Sequence, residues 1–148
     1  MALPPLSADG IVIGAQADDW RAAVRLAGSA LTASGVATAR YADEMVRMIE
    51  EHGPYVVIAP GLAMAHARPG PAVLADGLAV VTLATPVPFG HPYNDPVKVV
   101  LGLAIKSADA HLASIASIAN IFNDSGAVAA LASASAPEQV LDIMGAGA

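Results

Sequence analysis

The chain contains no cysteine, and this absence excludes disulfide bonds and thiolate metal sites. Aromatic side chains are also scarce, at 4% of the residues, and charged side chains make up only 14%. What the chain has instead is aliphatic: 55% of its 148 residues are hydrophobic, and many of these are alanine. This composition can bury a large core and favours helices packed closely on a sheet.

Positive charge is in short supply as well. Seven lysines and arginines face 13 acidic residues, which gives a net charge of −6 and no electrostatic support for binding nucleic acid. No apolar run approaches the roughly 20 residues of a membrane span, and the start lacks the basic-then-apolar pattern of a signal peptide. We therefore expect one acidic, cytoplasmic domain over residues 1–148, with no direct membrane insertion.

The hydrophobic pattern predicts an α/β domain with helices on both faces of a sheet. Helical spacing begins after Asp18, a candidate N-cap, and a second amphipathic helix stops at Gly53-Pro54. Asp109 is the candidate N-cap of a third helix that reaches about Phe122, with Leu112, Ile115, Ala116 and Ala119 facing inward. Two shorter helices are expected after it: one follows Ser125 and the other begins at Pro137. Apolar runs of strand length occupy residues 11–13, 55–59, 77–84 and 97–105.

The most informative segment is residues 55–70, where a short apolar strand is broken by Pro60-Gly61. A second apolar step follows, and then His66 and Arg68 come just before Pro69-Gly70. We interpret His66 as a loop residue that follows a buried strand. An imidazole beside a guanidinium in such a loop is a candidate site for chemistry.

The other three histidines differ in their setting. His52 precedes Gly53 at a helix C-terminus and is typical of a capping residue. His91 lies in the proline-rich segment 85–96, where a surface turn role is expected. His111 falls in the first turn of the third helix, where the helix dipole disfavours a charged imidazole and unpaired N–H groups attract anions.

The combination of His66 and His111 suits a reaction in which a neutral imidazole accepts a phosphoryl group and the second histidine stabilises its charge. The sequence has no glycine-rich phosphate loop and no acidic Mg²⁺ cluster, so ATP is not expected as the direct donor. The alternative is a zinc site formed by His66, His91 and His111. Carboxylates near these positions are few and no short His-to-His spacing occurs, so the zinc alternative is the weaker one.

Three motifs then occur in order between Trp20 and Asp124: GPYVVIAPGLAMAHARPG, PVPFGHPYNDPV and ADAHLASIASIANIFND. Together they resemble the mannitol/fructose-type enzyme IIA domain of the bacterial phosphotransferase system, and within it the ascorbate-class subgroup. The resemblance implies a single α/β domain with a mixed central β-sheet and helices on both faces.

The resemblance also implies a function. Such a phosphotransferase takes a phosphoryl group from the histidine-containing phosphocarrier protein and passes it to a cysteine of a cognate IIB domain, which works with a membrane permease. It implies phosphorylation of His66 at Nε2, contact of His111 with the phosphoryl group, and a bidentate phosphate contact from Arg68. No cofactor and no metal are implied. Around His66 we expect a largely apolar docking rim, formed by residues 62–65, in which Met64 is a candidate adaptable contact.

Two departures from the family pattern stand out. Ala65 takes the place of the proline that usually precedes the phosphorylated histidine. Glu50 stands where mannitol-type members have an arginine on the second helix, with Arg47 nearby.

The alternative function is a regulatory module that senses phosphorylation and is not coupled to transport. A ligand-binding domain without turnover is a third option. The sugar and the oligomeric state, with a homodimer as one option, are left open.

Overall fold

The computed structural model describes residues 4–123 and 126–144, and these residues form a mixed five-stranded sheet with helices packed on it. Along the chain the elements are a short 3-10 helix (Ala8–Gly10), β1 (Ile11–Ala15), α1 (Trp20–Ala33), α2 (Arg40–His52), β2 (Val57–Ala59), β3 (Leu62–His66), β4 (Gly77–Val87), β5 (Val97–Ala104), α3 (Ala108–Ile121), α4 (Ala127–Ala132) and α5 (Pro137–Met144). The strand order is β1-β4-β5-β3-β2. The pairs β1–β4 and β3–β5 are parallel, and β4–β5 and β2–β3 are antiparallel.

The sheet is covered on both faces, because alternate side chains of each central strand point to opposite sides. In β3, Ala63 and Ala65 pack in one core with α1 and α2, whereas Leu62 and Met64 belong to a second core with α3, α4 and α5. All four side chains are at most 1% exposed. The predicted fold class, a mixed sheet with helices on both faces, is confirmed.

The strand prediction was wrong around the Pro60-Gly61 break. The strand expected over residues 55–59 begins only at Val57, because Tyr55 and Val56 form a turn after Gly53-Pro54. The second apolar step is a strand of its own, β3, and His66 is its last residue rather than part of a loop. Five apolar residues next to a proline and a glycine were too few to separate a strand from a loop by pattern alone.

The helix starts were also displaced. Asp19, not Asp18, caps α1, with its carboxylate accepting from the N–H of Ala22 at 2.9 Å. Ser107, not Asp109, caps α3, and its hydroxyl accepts from the N–H of Ala110 at 3.2 Å. Either of two neighbouring polar residues can cap a helix, so the sequence cannot place the first turn to the residue.

The inward face of α3 was predicted wrongly for three of its four residues. Leu112 is 70% exposed and Ala116 and Ala119 are also exposed, while Ile115 is partly buried against the core. Ser114 and Ile118 are the buried residues of this helix. An alanine-rich helix carries too little contrast between its faces for the pattern to decide the rotation. The two short C-terminal helices are present as predicted, although Asp124 and Ser125 lie outside the described residues.

The topology brings two distant segments to one edge of the sheet. Because β3 and β5 run parallel and pair in register, with His66 opposite Leu103, both strands end at the same edge. After β5 the chain needs only three residues before α3 begins, so the start of α3 lies at that edge as well. Sites in α/β folds commonly form where parallel strands end. None of the described helices is long and apolar enough to cross a membrane.

Candidate functional site: a histidine pair at the sheet edge

His66 and His111 form the centre of the site, with ring centroids 5.2 Å apart and ring planes inclined by 57°. His66 ends β3, and His111 lies in the first turns of α3, 45 positions later in the sequence. The rings are tilted rather than stacked, and they are close enough for one small group to contact both. The structure thus brings together the two histidines that were paired on sequence grounds.

The protonation of His66 is set by its own strand. Its Nδ1 lies 2.8 Å from the carbonyl oxygen of Met64, which can only accept a hydrogen bond. Nδ1 therefore carries the proton, and in the neutral imidazole Nε2 keeps its lone pair. Burial lowers the pKa of His66 below its ordinary value, and the bond to the Met64 carbonyl opposes that shift only in part. The neutral, nucleophilic form is therefore favoured at physiological pH.

His111 is also held in its neutral form. Burial lowers the pKa of its imidazole, and proximity to His66 lowers it further. The direction agrees with the expectation from the sequence, and burial is the largest cause. Its Nδ1 is buried and has no hydrogen-bond partner among the described residues. With no acceptor for a proton at Nδ1, the proton is better placed on Nε2, and His111 then presents an N–H donor.

Tyr41 of α2 fixes the end of the strand that carries His66. Its hydroxyl accepts from the N–H of Ala67 at 3.0 Å and donates to the carbonyl of Leu103 at 2.7 Å. These are the residue that follows His66 and the residue paired with it across the sheet. Burial raises the pKa of Tyr41 to about 12, so the phenol keeps the proton that it donates. The sequence alone predicted only that Tyr41 lies in the second amphipathic helix.

Tyr55 was missed as a site residue, because residues 55–59 were interpreted as a strand. Its ring lies perpendicular to that of His66, at 89°, with centroids 5.5 Å apart. Burial raises the pKa of its phenol, and the nearby positive charge of Arg68 opposes that rise. The signal that could have found it is the preceding Gly53-Pro54, which is typical of a turn.

Arg68 is exposed and lines an open depression of about 600 Å³ between α2 and the end of β3. Arg40 and Arg47 line the same depression, with Asp43, Glu44 and Glu51 among the other lining residues. Arg47, whose role the sequence left open, therefore lies on the same side of the site as Arg68. Glu50 faces elsewhere, because its carboxylate pairs with Arg21 of α1 at 3.1 Å.

The remaining histidines lie outside the pair. His91 sits in the 88–96 loop, where its Nδ1 accepts from the N–H groups of Tyr93 and Asn94, as expected of a turn residue. Asn94 in turn bonds Gly61, so this loop lies at the start of β3, roughly 15 Å of strand away from His66. The alternative zinc site of His66, His91 and His111 is therefore wrong on geometry. Among the described residues no three histidine or carboxylate groups are placed to hold a metal ion.

The predicted apolar rim was wrong in its residues. Leu62, Ala63, Met64 and Ala65 are all buried inside the sheet, so Met64 is a core side chain and no adaptable contact. Two exposed apolar side chains occur instead: Tyr55, whose ring contacts His66, and Leu112, which follows His111 in the sequence, at 40% and 70% exposure. A strand with helices on both faces has its side chains covered by those helices, which is why residues 62–65 do not line the surface.

Comparison with known proteins identifies the family of this chain. Residues 5–146 match the family described as "Phosphoenolpyruvate-dependent sugar phosphotransferase system, EIIA 2". The chain belongs to this family. It is a phosphotransferase-system EIIA component, in agreement with the resemblance stated above, and the matched region is longer than the three motifs suggested. This EIIA chain is 38% identical over 135 residues to the ascorbate-specific EIIA component of Shigella boydii, covering 90% of this chain and 88% of that protein.

Solved structures show the same fold. The mannitol-specific cryptic phosphotransferase enzyme IIA CmtB of Escherichia coli superimposes with a TM-score of 0.83 at 26% identity, covering 97% of this EIIA chain and 96% of that chain. The mannitol IIA of E. coli, solved in complex with phosphorylated mannitol IIB, gives a TM-score of 0.83 at 23% identity and covers 94% of this chain and 96% of that one. These structural neighbours are of the mannitol IIA type.

Proposed function

We propose that this EIIA component is a cytoplasmic phosphocarrier that accepts a phosphoryl group on Nε2 of His66 and passes it to a cognate IIB domain. The donor is the histidine-containing phosphocarrier protein of the phosphotransferase system. Because ascorbate-specific components are among its relatives at 38% identity, ascorbate is the substrate we propose for the associated permease.

One observation supports the proposal most directly: the Nδ1 of His66 is committed to the Met64 carbonyl at 2.8 Å, which leaves Nε2 as the nucleophile beside His111. In the reaction, the Nε2 lone pair attacks the phosphorus of the donor's phosphohistidine. The bond between phosphorus and the donor imidazole breaks, and that imidazole keeps the electron pair. Positive charge then develops on the His66 ring, and the Met64 carbonyl stabilises it through the Nδ1–H.

His111 and Arg68 would act on the phosphoryl oxygens. A phosphoryl group on Nε2 of His66 lies next to a ring whose centroid is 5.2 Å from that of His66, and His111 can offer an Nε2–H to one oxygen. Arg68 follows two residues after His66 and is exposed, so its guanidinium is free to turn toward the group. Both roles stabilise charge without forming a bond to phosphorus.

The release step is the mirror of the acceptance step. A nucleophile of IIB attacks the phosphorus, the bond to Nε2 breaks, and Nε2 recovers its lone pair. Because the pKa of His66 is lowered by burial, the neutral leaving imidazole is favoured over a protonated one. The exposed Tyr55, which contacts His66, and the exposed Leu112, which follows His111, would provide the apolar contact that a transient partner needs.

The test is phosphorylation of the purified protein with phosphoenolpyruvate, enzyme I and the carrier protein. Intact mass spectrometry should show one added phosphoryl group, which is labile in acid and stable in base as phosphohistidine is. The group should be absent in His66→Ala and present in His52→Ala, a matched variant of an exposed histidine. An acid-stable modification, or one that persists without His66, would show that the proposal is wrong.

A further inference from the structure

The ring of Tyr55 closes one side of the candidate site. It comes from the turn after α2, whereas His111 comes from α3. Three ring contacts follow one another: His52 with Tyr55 at 6.3 Å, Tyr55 with His66 at 5.5 Å, and His66 with His111 at 5.2 Å. His66 therefore contacts one ring from the turn after α2 and another from α3. Tyr55 is 40% exposed, so its ring contacts the imidazole at the protein surface rather than in the core.

The backbone holds Tyr55 in this place. Its N–H donates to the carbonyl of Gly53 at 2.8 Å, which closes the turn, and the next residue, Val56, accepts from the N–H of Met64 at 2.8 Å. The carbonyl of the same Met64 accepts from Nδ1 of His66 at 2.8 Å. One residue of β3 thus anchors both the turn that carries Tyr55 and the imidazole that Tyr55 contacts. The fold thus fixes the backbone position from which the Tyr55 ring contacts His66.

We propose that Tyr55 is a positioning residue whose ring keeps the His66 imidazole in its Met64-bonded orientation and shields the phosphoryl group on Nε2 from water. This inference rests on the proposed phosphorylation of His66. A single hydrogen bond at Nδ1 leaves the imidazole free to rock about its bond to Cβ, and a perpendicular ring at 5.5 Å blocks that rotation. The ring also occupies space from which a water molecule would otherwise reach the site.

The reaction that Tyr55 suppresses is hydrolysis. A water oxygen attacks phosphorus, the bond between phosphorus and Nε2 breaks, and Nε2 keeps the electron pair. The water gives up a proton to the solvent, and inorganic phosphate leaves. A carrier must hold its phosphoryl group until the partner docks. Each phosphoryl group lost to water therefore does not reach IIB. The Tyr55 phenol remains protonated at neutral pH, since burial raises its pKa, and so adds no negative charge beside the phosphoryl group.

The ring and not the hydroxyl carries this role, and that distinction defines the experiment. The protein and its Tyr55→Phe, Tyr55→Leu and Tyr55→Ala variants are phosphorylated, freed of donor, and followed by mass spectrometry as the phosphoryl group is lost. Tyr55→Ala should lose it roughly fivefold faster than the wild type, and Tyr55→Phe at the wild-type rate. Tyr93→Ala is the matched control, since Tyr93 is 87% exposed and lies at the other end of the sheet.

A second readout separates positioning from general stability. In the unphosphorylated protein the Nδ1 proton of His66 should be visible by NMR and protected from exchange in the wild type and in Tyr55→Phe. Its exchange should be faster in Tyr55→Ala, while circular dichroism remains unchanged. Tyr55→Leu gives a folded test of the same idea should the alanine variant be unstable: it should also lose phosphate faster than the phenylalanine variant.

The two proposals fail in different ways. If the wild type takes up no phosphoryl group, the proposed function is wrong. If the wild type is phosphorylated but the alanine and leucine variants hydrolyse at its rate with equally protected Nδ1 protons, the role of Tyr55 is wrong and the proposed function stands. If the phenylalanine variant hydrolyses as fast as the alanine variant, the hydroxyl rather than the ring is responsible, and the inference is overturned.

Discussion

Replacing Tyr41 by phenylalanine should weaken the whole sheet edge that carries His66. The aromatic ring and its packing remain, so no cavity forms, and the loss is confined to the hydroxyl. That hydroxyl serves the buried N–H of Ala67 at 3.0 Å and the carbonyl of Leu103 at 2.7 Å. A buried backbone group left without its partner costs about 1–3 kcal/mol, so the two together should lower the free energy of unfolding by about 2–6 kcal/mol. For a chain of this length that corresponds to a fall in Tm of roughly 5–25 °C.

The assay is urea unfolding followed by circular dichroism, with thermal unfolding as a second measurement. Tyr93→Phe is the matched control, because Tyr93 is 87% exposed and should change the unfolding free energy by no more than about 0.5 kcal/mol. The rate of phosphoryl acceptance should fall as well, since Ala67 follows His66 directly and its displacement moves the imidazole. A Tyr41→Phe variant as stable as the control would refute the reasoning, because it would show that these two bonds contribute nothing net.

Three further predictions concern the site and the packing around it. His111→Ala should leave His66 able to accept a phosphoryl group but slow its passage to IIB by about 10²–10³-fold in stopped-flow transfer; an unchanged rate would return His111 to a structural role. The lowered pKa of His66 means that folding favours the neutral ring, so this group's contribution to stability is complete above about pH 6.5 and is lost as pH falls toward the folded pKa. Urea unfolding at about pH 5 and pH 7.5 should therefore differ less in His66→Gln than in the wild type, and equal differences would contradict the shift. Gly28→Ala should cost about 1–3 kcal/mol in unfolding free energy, because the new Cβ would lie 2.5 Å from that of Ala42, whereas Gly70→Ala, whose Cβ would meet its nearest neighbour at 3.9 Å, should be near neutral.

Much of the candidate site could be recognised from the sequence. The pattern around His66 and the helix that opens near His111 were enough to pair the two histidines, since both signals are local. The same reasoning could not find Tyr55. The predicted strand begins at Tyr55, whereas the observed strand begins two residues later, at Val57. The turn after Gly53-Pro54 therefore includes Tyr55, and this turn places its ring against His66.

The misplaced docking rim has a similar origin. Residues 62–65 are uncharged, which is equally compatible with an exposed apolar surface and with a buried strand. In the structure this segment is a buried strand, because Leu62 and Ala63 pair with Val99 and Val100 of β5, 37 positions later in the chain. Apolar composition alone does not tell which of two apolar segments is covered; that depends on which elements pack over it.

By itself the sequence determined the helical and strand segments in outline, the pairing of His66 with His111 and the family. These follow from residue type and from spacing within a few turns of chain. The tertiary structure alone decided that His66 ends a strand, that its Nδ1 is committed to Met64, and that Tyr41, Tyr55 and His111 converge on it from three other elements. The physical reason is the parallel pairing of β3 with β5: it aligns the ends of two strands that are far apart in the chain, and no local pattern encodes which strands become neighbours.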